Sequence, residues 1–281
     1  MISCYTTQQI AADPLSDTRY LMKALRRDFE VRFHFEPDPW LSRGADVVFD
    51  RFPVPMNHGF ACGLDDATDA LVINNGDARI RFGSKQSLAL WPHLTAPTLI
   101  TEEAAEVRAF VDRHGWAVLK PVGGHKGQGV IQLRSSELGR NGSGDAIAAF
   151  LGTHGTAVAQ SFVPDVLTHG DKRINVFGFE VISAVTTRPA EGSFICHESS
   201  GGTAHADEIS ARDEHIVSEV LPFLREHDIW WAGIDVIGPY LGEINITTPT
   251  MIRRADEAHG STRGRDLVVR RLAEFCMGEQ Q

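Results

Sequence analysis

Cysteine is scarce in this 281-residue chain: there are four, Cys4, Cys62, Cys196 and Cys276, and none sits in a CxxC spacing. That scatter excludes a disulfide frame and a cysteine zinc site and fits reduced thiols. Positive charge is short as well. Lys and Arg number 27 against 37 Asp and Glu, a formal net charge of −10 with pI ≈ 5.6, so the broad basic face of a nucleic-acid binder is missing and no nucleic-acid partner is expected. No apolar run reaches the roughly 18 residues that suggest a membrane span. The opening MISCYTTQQIAADP has neither the basic stretch nor the apolar core of a signal peptide. Internal repeats and long low-complexity tracts are also lacking. What is left is an ordinary globular composition, 42% apolar and 23% charged, in a chain long enough for one large domain or two to three small ones. The expectation is a soluble, cytoplasmic protein.

The first 78 residues alternate helix and strand. DTRYLMKALRRD (17–28) reads as a helix with an Asp cap, FEVRFHF (29–35) and ADVVFDRF (45–52) as strands, and ALVINN (70–75) as a short strand ending in turn formers. This alternation predicts a small parallel α/β unit over 1–78, followed by a larger unit over 79–281 that divides near 163. SKQSLALWPHL reads as helical, and TEEAAEVRAFVDRHG (101–115) as a helix with Thr101 as N-cap, apolar residues at 104, 107, 110 and 111, and Gly115 as its stop. The chain then turns β-rich, with strands at 116–122, 129–134, 156–163 and 172–188. FGFE (177–180) is expected as a turn inside the last of these, and 135–145 as a loop. A helix distorted at Pro222 covers 213–227, a hairpin turns at Gly238-Pro239, and the final 25 or so residues form a basic helix with Leu267, Val268, Leu272 and Phe275 on one face. The fold class is α/β followed by α+β.

Three constellations carry chemistry. KPVGGHKGQGV (120–130) delivers Lys120 from a strand into a loop with Gly123, Gly124, Gly127 and Gly129. Glycine lets backbone N–H groups approach phosphate oxygens. The spacing is neither that of a P-loop nor that of a dinucleotide turn, because a strand follows. Alone, a flap over a triphosphate and a ligand-free hairpin fit equally. In GIDVIGPYLGEINITTPT, Glu243 and Asn245 share one strand face while Ile244 and Ile246 take the other, and a hairpin brings Asp235 beside them. Two carboxylates and an amide oxygen are hard ligands that suit Mg2+ completed by water and phosphate. A solvated edge hairpin is the alternative, and the buried-looking WWAGI and INI flanks argue against it. Arg173 and Arg188 lie on two predicted antiparallel strands, where two guanidiniums could neutralise a transferring phosphoryl group.

Taken together, KPVGGHKGQGV, AQSFVP, GDKR and GIDVIGPYLGEINITTPTMIR, in this order, resemble the ATP-grasp fold and, more closely, bacterial glutathione synthetases. The likeness spans roughly 75–255. It implies that Lys85 and Lys120 hold ATP phosphates and that Gly124, Gly127 and Gly129 form the loop over them. Gln160, Phe162 and Val163 would read adenine, and Asp171 would touch the nucleotide. Arg173 and Arg188 would stand near the γ-phosphate and an acyl phosphate, and Asp235, Glu243 and Asn245 would hold Mg2+, with Mn2+ as a substitute. His197, Gly201, Gly202, Thr247 and Thr248 would face the substrates. Two features depart from that pattern. The G-x-x-G-x-G loop looks like that of ribosomal-protein glutamate ligases, and FICHESSGGTAHAD places His197, Glu198 and Thr203 where the family shows other residues. The implied protein is an ADP-forming carboxylate–amine ligase working through an acyl phosphate on its own amino-acid or peptide substrates. Glutathione synthesis proper and an ATP-grasp kinase are the alternatives, and a homo-oligomer, dimer or tetramer, is the implied assembly.

Overall fold

A computed structural model describes residues 1–53, 55–124, 127–138 and 143–278. The chain opens with β1 (Ile2–Tyr5), α1 (Gln8–Ala12), α2 (Asp17–Leu25), β2 (Val31–His34), β3 (Val47–Asp50), α3 (His58–Ala67), β4 (Leu71–Ile73) and α4 (Gly76–Phe82). The four strands form a parallel sheet in the order β2-β1-β3-β4. β1 and β3 are buried throughout, as parallel strands covered on both faces must be. The expected Asp cap of α2 is corrected: Ser16 is the N-cap and accepts from the Arg19 N–H at 3.0 Å. Asp17, the first helical residue, instead accepts from the Met251 and Arg253 amides at 3.0 and 2.8 Å.

A second, antiparallel sheet follows, built from β5 (Thr98–Thr101), β6 (Trp116–Pro121), β7 (Ile131–Arg134) and β8 (Ala157–Ser161), with α5 (Ala104–His114) and α6 (Ser143–His154) packed on it; its order is β5-β8-β6-β7. Its core is its own, with Val107, Phe110, Val111, Leu119, Leu133, Ile147 and Phe150 in one cluster. Three expectations change here. Residues 85–90 form a 3-10 stretch, not an α-helix. The cap position of α5 falls on Glu103, whose N–H donates to Thr101 Oγ1 at 3.0 Å. The loop expected over 135–145 contains a 3-10 turn at 135–137 and the start of α6, while its residues 139–142 lie outside the described set. Gly115 ends α5 as expected, at φ 75°.

The third sheet gathers β9 (Asp171–Phe177), β10 (Glu180–Arg188), β11 (Thr203–Ala206), β12 (Trp231–Ile237) and β13 (Tyr240–Asn245) in the order β11-β10-β9-β12-β13; α7 (Asp165–Thr168) precedes it, and α8 (Ala211–Glu226), α9 (Ile252–Ala258) and α10 (Arg263–Cys276) complete the chain. The turn expected at FGFE forms with φ 55° at Gly178 and 66° at Phe179, a pair of positive φ values that matches strand twist in a two-residue hairpin. α8 lays Ile216, Val217, Val220 and Leu224 on one face, against Ile174, Ile234 and Leu241. On the other face Val268 and Leu272 join Phe177 and Trp231 to Ile2, Val47 and Phe49 of the parallel sheet in one cluster. Asn74, read as a turn former, stitches the same junction: its amide donates to Trp231 O and Ile246 O, both at 2.7 Å, and its oxygen accepts from the Trp231 N–H at 2.8 Å. Among the described residues no helix is long and apolar enough to cross a membrane.

Candidate active site

Sheet register brings the polar residues of the third sheet together. On β12 and β13, Asp235 stands directly opposite Glu243, and on the other side of β12 it stands opposite Arg173 of β9. Arg173 grips Asp235 with a fork: Nε meets Oδ1, and Nη2 reaches Oδ2 at 2.9 Å. Asn245 Nδ2 donates to Asp235 Oδ2 at 3.0 Å, which leaves its amide oxygen as an acceptor. Lys85, from the 3-10 stretch after α4, comes over this face, with Nζ 3.1 Å from Glu243 Oε1 and bonded to Gly124 O. Lys120, at the end of β6, donates to Gln160 Oε1 at 2.7 Å, and Gln160 in turn donates to Thr98 Oγ1 at 3.0 Å.

The electrostatics are those of charges crowded out of water. Burial pushes the Lys120 ammonium below the usual lysine range; Glu243 acts against this and Lys85 adds to it. Asp171, at the start of β9, has a buried Oδ1 with no hydrogen-bond partner. Burial, and after it the Asp235 carboxylate, hold Asp171 well above the usual carboxylate range. Burial also acts to lower the Arg173 guanidinium, but the Asp235 carboxylate more than reverses that, so its pKa is raised.

The fold therefore brings together Lys85, Lys120, Gly124, Gln160, Asp171, Arg173, Asp235, Glu243 and Asn245. Their fit to a magnesium ion is chemical: among the described residues no group of three or more His, Cys, Asp and Glu could hold a metal alone. Two facing carboxylates with an amide oxygen beside them form an incomplete hard-oxygen shell, the kind Mg2+ fills with water and substrate phosphates. Gly127 and Gly129 sit at φ 71° and 72°, so this loop needs glycine where the sequence supplies it. His125 and Lys126 of the same loop lie outside the described residues.

The other expected residues make contacts of their own. Phe162 cannot offer its N–H to an adenine, because that N–H donates to Trp116 O at 2.9 Å. Its ring stacks on Trp116 with centroids 3.7 Å apart. The Val163 carbonyl accepts from the Val166 N–H at 3.2 Å. Arg188 is exposed at the end of β10, where it pairs in register with Thr203 of β11, and its side chain has no hydrogen bond or ion pair among the described residues; its neighbour Thr187 stands opposite Asp171, and Arg173 pairs with Val185. His197 caps the 3-10 turn 198–200 by accepting from the Ser199 N–H at 3.1 Å, and Gly201 closes that turn at φ 81°. The Gly202 N–H donates to His197 O at 3.0 Å, and Glu198 pairs with Arg254 of α9. Thr248 Oγ1 lies 3.4 Å from Phe52 O, and Thr247 faces a cavity at the end of the parallel sheet.

Sequence reasoning missed the charged residues lining or flanking that cavity. Asp50 ends β3, Arg51 follows it, and Arg79 comes from α4; all three are at most 4% exposed. Asp50 and Arg79 pair at 2.9 Å. Nothing in DARIRF marks one arginine as buried and the other as exposed, since strand and helix ends routinely carry both kinds.

Comparison with known proteins places these observations. The family model for the ATP-grasp domain of prokaryotic glutathione synthetase matches residues 84–260. A protein named glutathione synthetase from Parasynechococcus marenigrum is 32% identical over 234 residues, 78% of this chain and 75% of that one. Another of that name, from Neisseria meningitidis, is 35% identical over 189 residues, 66% of this chain and 58% of that one. Among solved structures, a D-cycloserine synthetase aligns over 97% of this chain and 100% of its own with a TM-score of 0.72 and 16% identity, a likeness of fold.

Proposed function

The chain belongs to the family of the prokaryotic glutathione synthetase ATP-grasp domain, a group of ADP-forming amide-bond ligases, and from that premise we propose that it joins a carboxylate to an amine through an acyl phosphate, on amino-acid or peptide substrates of its own. The observation that carries this is the meeting of Lys85, Lys120 and Arg173 with Asp235, Glu243 and Asn245 in one cleft between the two antiparallel sheets.

The charges in that cleft suggest how nucleotide enters. Arg173 and Lys85 are already neutralised by Asp235 and Glu243. A phosphate chain arriving with a divalent cation gives each side chain a new partner of the right sign, so the local balance is kept. Magnesium, held by Asp235, Glu243 and the Asn245 oxygen, would supply a Lewis acid against phosphate oxygens. Lys120 gains a direct anionic partner, because among the described residues its ammonium hydrogen-bonds to the Gln160 amide oxygen and to no carboxylate. The substrate carboxylate attacks the γ-phosphorus and ADP leaves; the amine then attacks the acyl carbon and phosphate leaves. Arg173 stabilises the transferring group, and the glycine loop excludes water from the acyl phosphate.

A division into a unit of residues 1–78 and a ligase unit of 79–281, and a dimer or tetramer in solution, belong to the same proposal; light scattering reads the second. A second reading, glutathione synthesis itself, is favoured by the identities above 30% to proteins of that name. The FICHESSGGTAHAD loop, whose Glu198 is tied to Arg254, supports separate substrates. Phosphate release is to be measured with Mg·ATP against a matrix of acids and amines that includes γ-glutamyl-cysteine plus glycine, with Asp235→Ala/Glu243→Ala as blank. Release only with both γ-glutamyl-cysteine and glycine would replace the first reading by the second. A stable phosphorylated product with no amine requirement would mean a kinase.

A further inference from the structure

The cavity at the carboxyl ends of the parallel strands measures about 260 Å³ and is lined by Asp50, Phe52, Met56, Phe60, Arg79 and Thr247 among others. One water needs roughly 10–15 Å³ by a comparable measure, so the space accepts a ligand of several heavy atoms. Most of the wall is apolar; its charge comes from Asp50 and Arg79. Arg79, 2% exposed, gives one guanidinium nitrogen to Asp50, at 2.9 Å, while its Nε and Nη2 are buried and have no hydrogen-bond partner. Unpaired N–H donors on a buried cation are expensive and seldom left in place.

Charges of both signs surround Arg79, since Asp65, whose Oδ1 is also buried without a hydrogen-bond partner, interacts with it as well. Arg51, 3% exposed, follows Asp50 directly; its Nε donates to Thr18 Oγ1 at 3.2 Å and its guanidinium lies 4.4 Å from the Trp231 ring centre. No ion pair to Arg51 occurs among the described residues. Burial pushes its pKa down to about 10, with Asp17, Cys4 and Asp50 opposing and Arg79 adding to the fall. Asp17 is itself bound to the Met251 and Arg253 amides. Among the described residues, Asp50 is the carboxylate hydrogen-bonded to Arg79. Thr247 ties the cavity to the cleft, since it lies two residues beyond Asn245.

We propose that this cavity is a carboxylate subsite: Arg79 anchors the non-reacting carboxylate of an acid substrate, and the apolar wall receives a short aliphatic stem leading toward Thr247. That the ligand is a substrate rests on the ligase reading above; that it is an anion of this class rests on the cavity alone. Arg79 is the substrate-positioning residue, and Asp50 fixes its orientation.

The test is calorimetry on the whole chain with succinate, glutarate and adipate, each against its monoamide, without nucleotide. At least one diacid is expected to bind about tenfold or more tightly than its monoamide, the scale of a charge-assisted fork. Arg79→Gln should bring the pair within about twofold, and Arg79→Lys should keep part of the preference. Because Arg79→Gln strands Asp50, the Asp50→Asn/Arg79→Gln double variant serves if the single one does not fold. Equal binding of every diacid and its monoamide by the unaltered chain overturns the subsite, and so does a preference that survives Arg79→Gln. Phosphate release measured on the same samples separates the two claims: diacid preference without release in any substrate matrix sinks the ligase reading alone, and release without diacid preference sinks the subsite alone.

Discussion

Two buried charge clusters divide this molecule. In the cleft, Lys85, Lys120 and Arg173 face Asp171, Asp235 and Glu243, and most of these charges find an opposite within reach. At the end of the parallel sheet, Asp50 pairs with Arg79, whose Nε and Nη2 are left without hydrogen-bond partners, and Arg51 lies beside them. A balanced cluster welcomes a ligand that brings both signs, such as a metal with phosphate. The second, with two guanidinium donors unpaired, calls for an acceptor. The same physics, the cost of charge in a low-dielectric interior, thus selects different ligands a short way apart.

The comparison breaks most sharply at Asp235 and Glu243. Asp235→Asn/Glu243→Gln should lower Mg·ATP-dependent phosphate release at least about 10³-fold, since it removes charge held against the developing transition state. Restoration of the rate by excess Mg2+ would show that the pair does not hold the metal. Removing the metal with EDTA should give the same loss, reversed by Mg2+.

Next in size is a stability effect. Asp50→Ala leaves Arg79 buried and uncompensated, and should cost about 3–5 kcal/mol, read from urea unfolding. Arg270→Ala, which removes an ion pair more than half exposed on the arginine side, should change stability by less than about 1 kcal/mol. If the two costs came out alike, the Arg79–Asp50 pair would not be buried as described.

Lys120 sharpens the cleft side. Its pKa is lowered in the folded chain and phosphate favours the charged form, so nucleotide binding should take up protons at pH values above that lowered pKa. Affinity should therefore fall, by at most about tenfold per pH unit for one proton, as pH rises through it and toward the usual lysine range. Calorimetry in buffers of different ionisation heat reads the uptake, and Lys120→Met should abolish it. A modest effect is expected at Gly127, where φ is 71° and an added Cβ would lie 2.6 Å from Ile195 Cγ2. Gly127→Ala should cost roughly 1 kcal/mol and raise KM for ATP, with little effect on Arg79 or its cavity.

How much of this was legible varies with how local the signal is. The grouping of Asp235, Glu243 and Asn245 could be found because strand alternation and a hairpin are short-range rules: once Glu243 and Asn245 share a face, a tight turn brings Asp235 opposite Glu243. The glycine loop was legible for the same reason. The strand pairs of the third sheet appeared where β-branched residues cluster. β1, β5 and β11 went unread although they are as long as β2, β3 and β7, and α6 went unread because its start shares the Ser, Gly and Asp of the loop before it. The likeness to glutathione synthetases extended the site to Lys85 and Gln160, residues that local rules do not connect.

The sequence by itself determined the chemistry of the cleft: which side chains could hold phosphate and which could hold a hard cation, because residue type and spacing of two are enough to place them on one strand face. Only the tertiary structure decided which arginine is buried. Arg79 and Arg81 sit two apart on α4, one 2% exposed and paired with Asp50, the other pointing to solvent beside Asp77. Their difference arises because Arg79 meets Asp50 at the end of β3, a contact between segments distant in sequence, and burial of a charge depends on everything that surrounds it.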